Sequence, residues 1–139
     1  MKLSNKKLPP DFSRDGNISK KIMAESQNNS LSCAAAFKLS KLFGIPYIEV
    51  GFYADSLNLK LSKCRIGLFG HGKGIKLVKK IETIDKDIEK SVDAFLDDGK
   101  LSCKNVLKIA DEHKVSPVTV GSVCQTKGIK IKECCLGAF

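Results

Sequence analysis

Cysteine is the residue type in this 139-residue chain best suited to chemistry, and four of its six cysteines recur at a fixed interval. Cys33 and Cys103 lie 70 positions apart, as do Cys64 and Cys134, while Cys124 and Cys135 have no such counterparts. Cys33 and Cys103 each follow a Leu-Ser pair and stand where a helix would begin, a position whose dipole favours thiolate. Four converging thiols could hold zinc or an iron–sulfur cluster. The chain has no Cys-x-x-Cys, however, and no histidine pair close to any of the four. Cysteine is also a small apolar residue that fills cores. Core packing is the reading adopted for Cys33, Cys64, Cys103 and Cys134, with metal binding or thiol sensing as the alternative. No cofactor is expected.

Two other stretches invite a chemical reading. "GLFGHGKG", residues 67–74, matches the G-x-x-x-x-G-K spacing of a phosphate-binding loop, but Gly74 replaces the hydroxyl residue that would hold magnesium. It reads as a flexible hinge, with an anion site at Lys73 as the lesser possibility. His71 and His113 have no adjacent nucleophile or carboxylate arrangement that would make a triad or an acid–base pair. His113 falls at the end of a helical pattern, where positive charge is favourable in any case. The chain is not expected to be an enzyme.

The elements that carry these residues follow from an internal repeat. Shifting the sequence by 70 positions aligns 31–69 with 101–139 without a gap, giving ten identities in 39 positions. Among these are Ser32/Ser102, Val50/Val120, Gly51/Gly121, Lys60/Lys130 and Gly67/Gly137. A repeat of this length is one supersecondary unit used twice. Ser32 and Ser102 suit helix N-caps, and Ser116 followed by Pro117 suits the start of the next helix. Pro46 occupies the place of Ser116 in the first copy, which leaves that helix without a side-chain cap. Turn dipeptides Asn28-Asn29 and Asp98-Gly99 precede the capped helices. "LKL" and "IKI" alternate as strands do, and residues 64–66 and 134–136 are placed to return as second strands. Each unit is thus expected to hold three helices and a short strand pair, starting near 18 and 88.

With these residues in view, each copy resembles the helix–turn–helix of bacterial transcription regulators, with the strand pair in the position of a winged helix's wing. The resemblance rests on a small residue in the first helix (Ser40, Ala110), a turn at Gly44 or Lys114, and apolar residues one, six and nine positions beyond it. Those apolar residues are Ile45, Val50 and Tyr53 in one copy and Val115, Val120 and Val123 in the other. It implies a mainly α fold with short β-strands: two tandem repeats joined by an amphipathic helix. The divisions are a flexible basic tail at 1–17, a first repeat at 18–70, a hinge and connecting helix at 71–87, and a second repeat at 88–139.

The resemblance also implies which helix face would enter a DNA groove. In the second copy that face is Ser116, Pro117, Thr119, Ser122 and Gln125, with Lys127 and Lys130 near the backbone. Gln125 would suit an adenine edge, and the hydroxyls would suit phosphates. The first copy places Pro46, Tyr47, Glu49, Phe52 and Asp55 there; its acids repel phosphate, and Tyr47 with Phe52 suits protein contact. The expected function is a double-stranded DNA-binding protein of regulatory type. A protein-interaction module without DNA binding is the alternative from another class. Leu77, Ile81, Ile84, Ile88, Val92 and Phe95 recur at near-heptad spacing, giving the predicted connecting helix a stripe suited to internal packing or a homodimer seam.

Charge fits a polyanionic partner without pointing to one place. The net charge is +9, spread as +3 over 1–30, +3 over 31–70, zero over 71–100 and +3 over 101–139. Only Arg14 and Arg65 are arginines among 24 basic residues, which argues against guanine reading. No membrane partner is expected, because no run approaches the ~18 apolar residues a membrane helix needs. With no apolar segment near the N-terminus, a cytoplasmic location is the default expectation.

Overall fold

A computed structural model describes residues 8–10, 12–72 and 75–138 of the chain. The fold is mainly helical, with four three-residue strands among the described residues. It divides into two compact units, one running to Cys64 and including Cys135–Ala138, the other comprising Arg65–Cys134.

In the first unit, Asp15 caps α1 (Gly16–Glu25), its carboxylate accepting from the amides of Asn17 and Ile18 at 2.8 and 3.1 Å. Asn28 and Asn29 adopt positive φ and turn the chain into β1 (Ser30–Ser32). Ser32 ends that strand and caps α2 (Cys33–Phe43), its hydroxyl accepting from the Ala35 amide at 3.1 Å. Gly44, at φ 64, ends α2 in the left-handed conformation that glycine adopts without strain. Then follow α3 (Tyr47–Ser56), which has no side-chain cap at Pro46, and β2 (Lys60–Ser62). The strands pair in parallel, Leu31 opposite Leu61, so the helix pair is the crossover that a parallel connection requires. Ile22, Leu31, Ala36, Val50, Ala54 and Leu136 are all but sealed from water. Burying a side chain the size of Leu31 contributes about 1.5–3 kcal/mol.

The second unit repeats this order 70 residues on: α4 (Lys86–Ala94), β3 (Lys100–Ser102), α5 (Cys103–His113), α6 (Pro117–Lys127) and β4 (Lys130–Lys132). Asp85 and Ser102 cap as Asp15 and Ser32 do, and Leu101 pairs with Ile131 in the same parallel register. Lys114 adopts the left-handed turn at φ 55 and ψ 41, the conformation for which the first unit uses glycine. Ile88, Val92, Leu101, Val106, Ile109, Val120 and Val123 form the core.

Two expectations fail. The strand partner precedes the helix pair and runs parallel, so the described residues of neither unit form a wing-like hairpin. Lys63 and Glu133 turn at φ 49 and 53 directly beyond the strands, and residues 64–66 and 134–136 form turns or irregular chain instead of returning as strands. The connecting helix over 77–95 is also absent. Helix α4 begins only at Lys86, because Asp85 accepts from the amides of Asp87 and Ile88 at 2.9 and 3.2 Å and so fixes its start. Upstream, the amides of Lys79 and Ile81 donate to side chains of α6 and not to carbonyls four residues back. Leu77, Ile81 and Ile84 therefore share no helix face with Ile88, and the stripe is not one continuous helical seam. The unit starts expected near 18 and 88 lie two residues beyond the first residues of α1 and α4, Gly16 and Lys86. Part of the expected tail is also structured, since Phe12 packs edge-on against Phe52 and Tyr53 at 5.8 and 5.2 Å; residues 1–7 and 11 lie outside the described residues.

Candidate nucleic-acid interface

Helix α6 has no acidic residue, and Ser116 and Thr119 at its start are exposed. Ser116 caps it through the Thr119 amide at 3.3 Å, and the Ser116 and Thr119 hydroxyls lie 3.1 Å apart on an exposed surface. Lys130, at the start of β4, is also exposed. The remaining expected contacts are engaged within the unit. Ser122 is only 7% exposed and its hydroxyl accepts from the Lys79 amide at 3.2 Å, which removes it from any solvent-facing set. Gln125 is half-buried, its side-chain oxygen accepting from Lys76 Nζ at 3.5 Å. Lys127 donates to Glu89 at 2.7 Å and pairs with Asp93 at 3.2 Å. The hydrogen bond to Glu89 holds its ammonium above the ordinary lysine range, and both carboxylates offset the charge a phosphate would need.

The segment that covers α6 is residues 75–81. Lys79 and Ile81 are two residues apart, ~6.6 Å in extended chain, and their amide acceptors Ser122 and Thr126 are one helical turn apart, ~6 Å. The matching spacings mean that the segment runs alongside α6 in the same direction. Val78 points inward and is 5% exposed. Gly121 allows this approach: a Cβ there would lie 2.6 Å from Val78 Cγ1 and 2.7 Å from Ile66 Cγ2. Gly121 thus admits two non-helical segments. Lys76, Lys79 and Lys80 remain exposed along the outer side. These lysines and Thr126 were not candidates from sequence. The signal was the acid-free run of residues 75–81, hidden in a 71–100 window whose charges cancel.

The corresponding surface of the first unit is aromatic. Tyr47 lies 4.4 Å from Phe37 between ring centroids, and Phe52 meets Phe12. The Asp15 amide donates to the Tyr53 hydroxyl at 2.9 Å, which fixes the leading segment against α3. A pocket of about 360 Å³ opens here between Pro9, Phe12, Pro46, Ile48 and Phe52. Of the other expected interface residues, Ile88 is buried in its own unit and Leu77 is 39% exposed.

Among the described residues, no group of three or more His, Cys, Asp or Glu side chains could hold a metal ion, so Cys33, Cys64, Cys103 and Cys134 do not form the convergent set that zinc or a cluster would need. Cys33, Cys64 and Cys103 are buried and Cys134 is half-buried. Burial pushes the Cys124 thiol up to about 11. His113 Nε2 lies 2.8 Å from Ser91 Oγ, in a helix-end contact. In the glycine-rich loop, Gly67 at φ 87 accepts from the Leu77 amide at 2.7 Å, while Lys73 and Gly74 lie outside the described residues. No helix among the described residues is long and apolar enough to cross a membrane. No protein-family model, curated protein or solved structure matches this chain.

Proposed function

We propose that this protein binds double-stranded DNA through its second unit, in a regulatory role, while the first unit makes protein contacts. The observation that supports the reading is the acid-free α6 surface, with the Ser116 and Thr119 hydroxyls exposed at its start and Lys130 exposed on β4. Hydroxyls and helix-start amides are common phosphate ligands. The test is titration of the full chain with duplex DNA at two salt concentrations. Affinity that falls steeply with added salt supports the reading, and salt-independent or absent binding removes it.

An assembly role is the second reading, favoured by exposed apolar side chains in the first unit. Leu42 on α2 is 61% exposed and Ile48 on α3 is 37% exposed. Sedimentation of the unaltered chain beside Leu42→Glu separates this reading from DNA binding, because only assembly requires the variant to change mass.

A further inference from the structure

We infer that residues 75–81 are the main DNA-contacting element of the second unit, and that they follow the phosphate backbone with little regard to base sequence. The inference rests on the DNA-binding reading above and deepens it.

Three observations carry it. The first is that α6's polar middle is already committed. Ser122 and Thr126 accept the amides of Lys79 and Ile81 at 3.2 and 2.9 Å, and Thr126 also donates to the Ser122 carbonyl at 2.8 Å. Base-edge reading needs free donors and acceptors on side chains that reach into a groove. Here those groups hold the chain's own backbone, and the segment they hold covers that part of the helix.

The second is what that segment presents. From Ile75 to Ile81 it carries Lys76, Lys79 and Lys80, all exposed, and no acidic residue. Extended chain rises ~3.3 Å per residue, so Lys76 and Lys79, three residues apart, are separated by at most ~10 Å of chain. Phosphates on one strand follow each other every ~3.4 Å along the duplex axis, so the lysines can reach different phosphates without competing. Lysine is a point charge with no fork geometry, which suits backbone neutralisation better than base recognition.

The third is the contrast between repeats. The positions equivalent to Lys79 and Lys80 are Pro9 and Pro10, in a segment where Phe12 packs on aromatic residues of α3. At these two positions the second unit thus carries lysine where the first carries proline, although Lys76 has a lysine counterpart in Lys6.

The test compares full-length protein with a Lys76→Ala, Lys79→Ala, Lys80→Ala triple variant. Binding to two duplexes of unrelated sequence is followed by fluorescence anisotropy over a range of salt. Single Lys→Gln variants keep every backbone bond of the segment and guard against loss of folding. The unaltered chain is expected to bind both duplexes within about twofold, and each lost lysine should reduce the salt slope by about 1. Gln125→Ala should leave both affinities within about twofold. Binding by the unaltered chain with an unchanged slope in the triple variant would overturn this inference and leave the DNA reading standing. So would strong discrimination between the duplexes that Gln125→Ala abolishes. If the unaltered chain binds neither duplex, the DNA reading itself falls and this inference falls with it.

Discussion

The backbone amide of Ile81 donates to Thr126 Oγ1 at 2.9 Å, and this bond fastens extended chain to the last turns of a helix. Ser122 does the same for Lys79 one turn earlier. Two hydroxyls at i and i+4 thus do for an extended segment what a neighbouring strand would do in a sheet. Removing one leaves a partly buried amide without a partner, which costs about 1–3 kcal/mol. Thr126→Val is expected to speed hydrogen exchange at the Ile81 amide, and Ser122→Ala at Lys79, while the core amides of Val106 and Ile109 keep their protection. Residue-resolved exchange checks this. Equal protection in both variants would mean the bonds hold nothing in place.

Gly121 offers a sharper stability test. In an open helix, Gly→Ala gains ~1 kcal/mol. Here the new methyl would sit 2.6 Å from Val78 Cγ1 and 3.3 Å from the Ile66 carbonyl oxygen, neither of which is the free end of a flexible chain. Overpacking of this kind costs about 1–3 kcal/mol. Gly121→Ala should therefore lower the urea midpoint, whereas Gly16→Ala, with nothing within 4 Å, should not.

The turn between the paired helices permits an exchange experiment. Gly44 and Lys114 both occupy left-handed conformations, at φ 64 and 55. A residue with a Cβ is disfavoured there by about 1–2 kcal/mol. Lys114→Gly should stabilise the chain and Gly44→Lys should destabilise it, each by about 1 kcal/mol, read from chemical denaturation. The second effect is purely conformational, because a Cβ at Gly44 meets nothing within 4 Å.

Much of this fold was legible in the sequence, and the reasons lie in particular residues. Ser32, Ser102 and Ser116 announced three helix starts because an N-cap is a local device. The 70-residue offset carried over to strand register, since Leu31 and Leu61 pair as Leu101 and Ile131 do. The parallel pairing was not legible: Ser30-Leu31-Ser32 is too short to declare itself a strand, and its partner is 30 positions away. The stripe from Leu77 to Phe95 misled because apolar spacing records which residues are sheltered, not the backbone that shelters them. Ser122 misled in the same way. A serine on a helix face looks the same in sequence whether it meets water, a phosphate or an amide of its own chain.

Cys124 makes stability depend on alkaline pH. Its folded value is raised, from 9.0 to about 11, because burial disfavours the thiolate. A raised folded value means that this stabilisation is fully present below pH 9.0 and is lost as pH climbs through about 11. Urea unfolding between these limits should show falling stability, and Cys124→Ala should flatten that fall. Equal slopes in the two proteins would contradict the assignment.

The most direct test of the central claim is amide NMR of the full chain during titration with a short duplex of arbitrary sequence at low salt. Shifts should gather at residues 75–81, Thr119 and Lys130, and should reverse as salt is added. A spectrum unchanged at those positions, or one perturbed only in α2 and α3 of the first unit, would contradict the account.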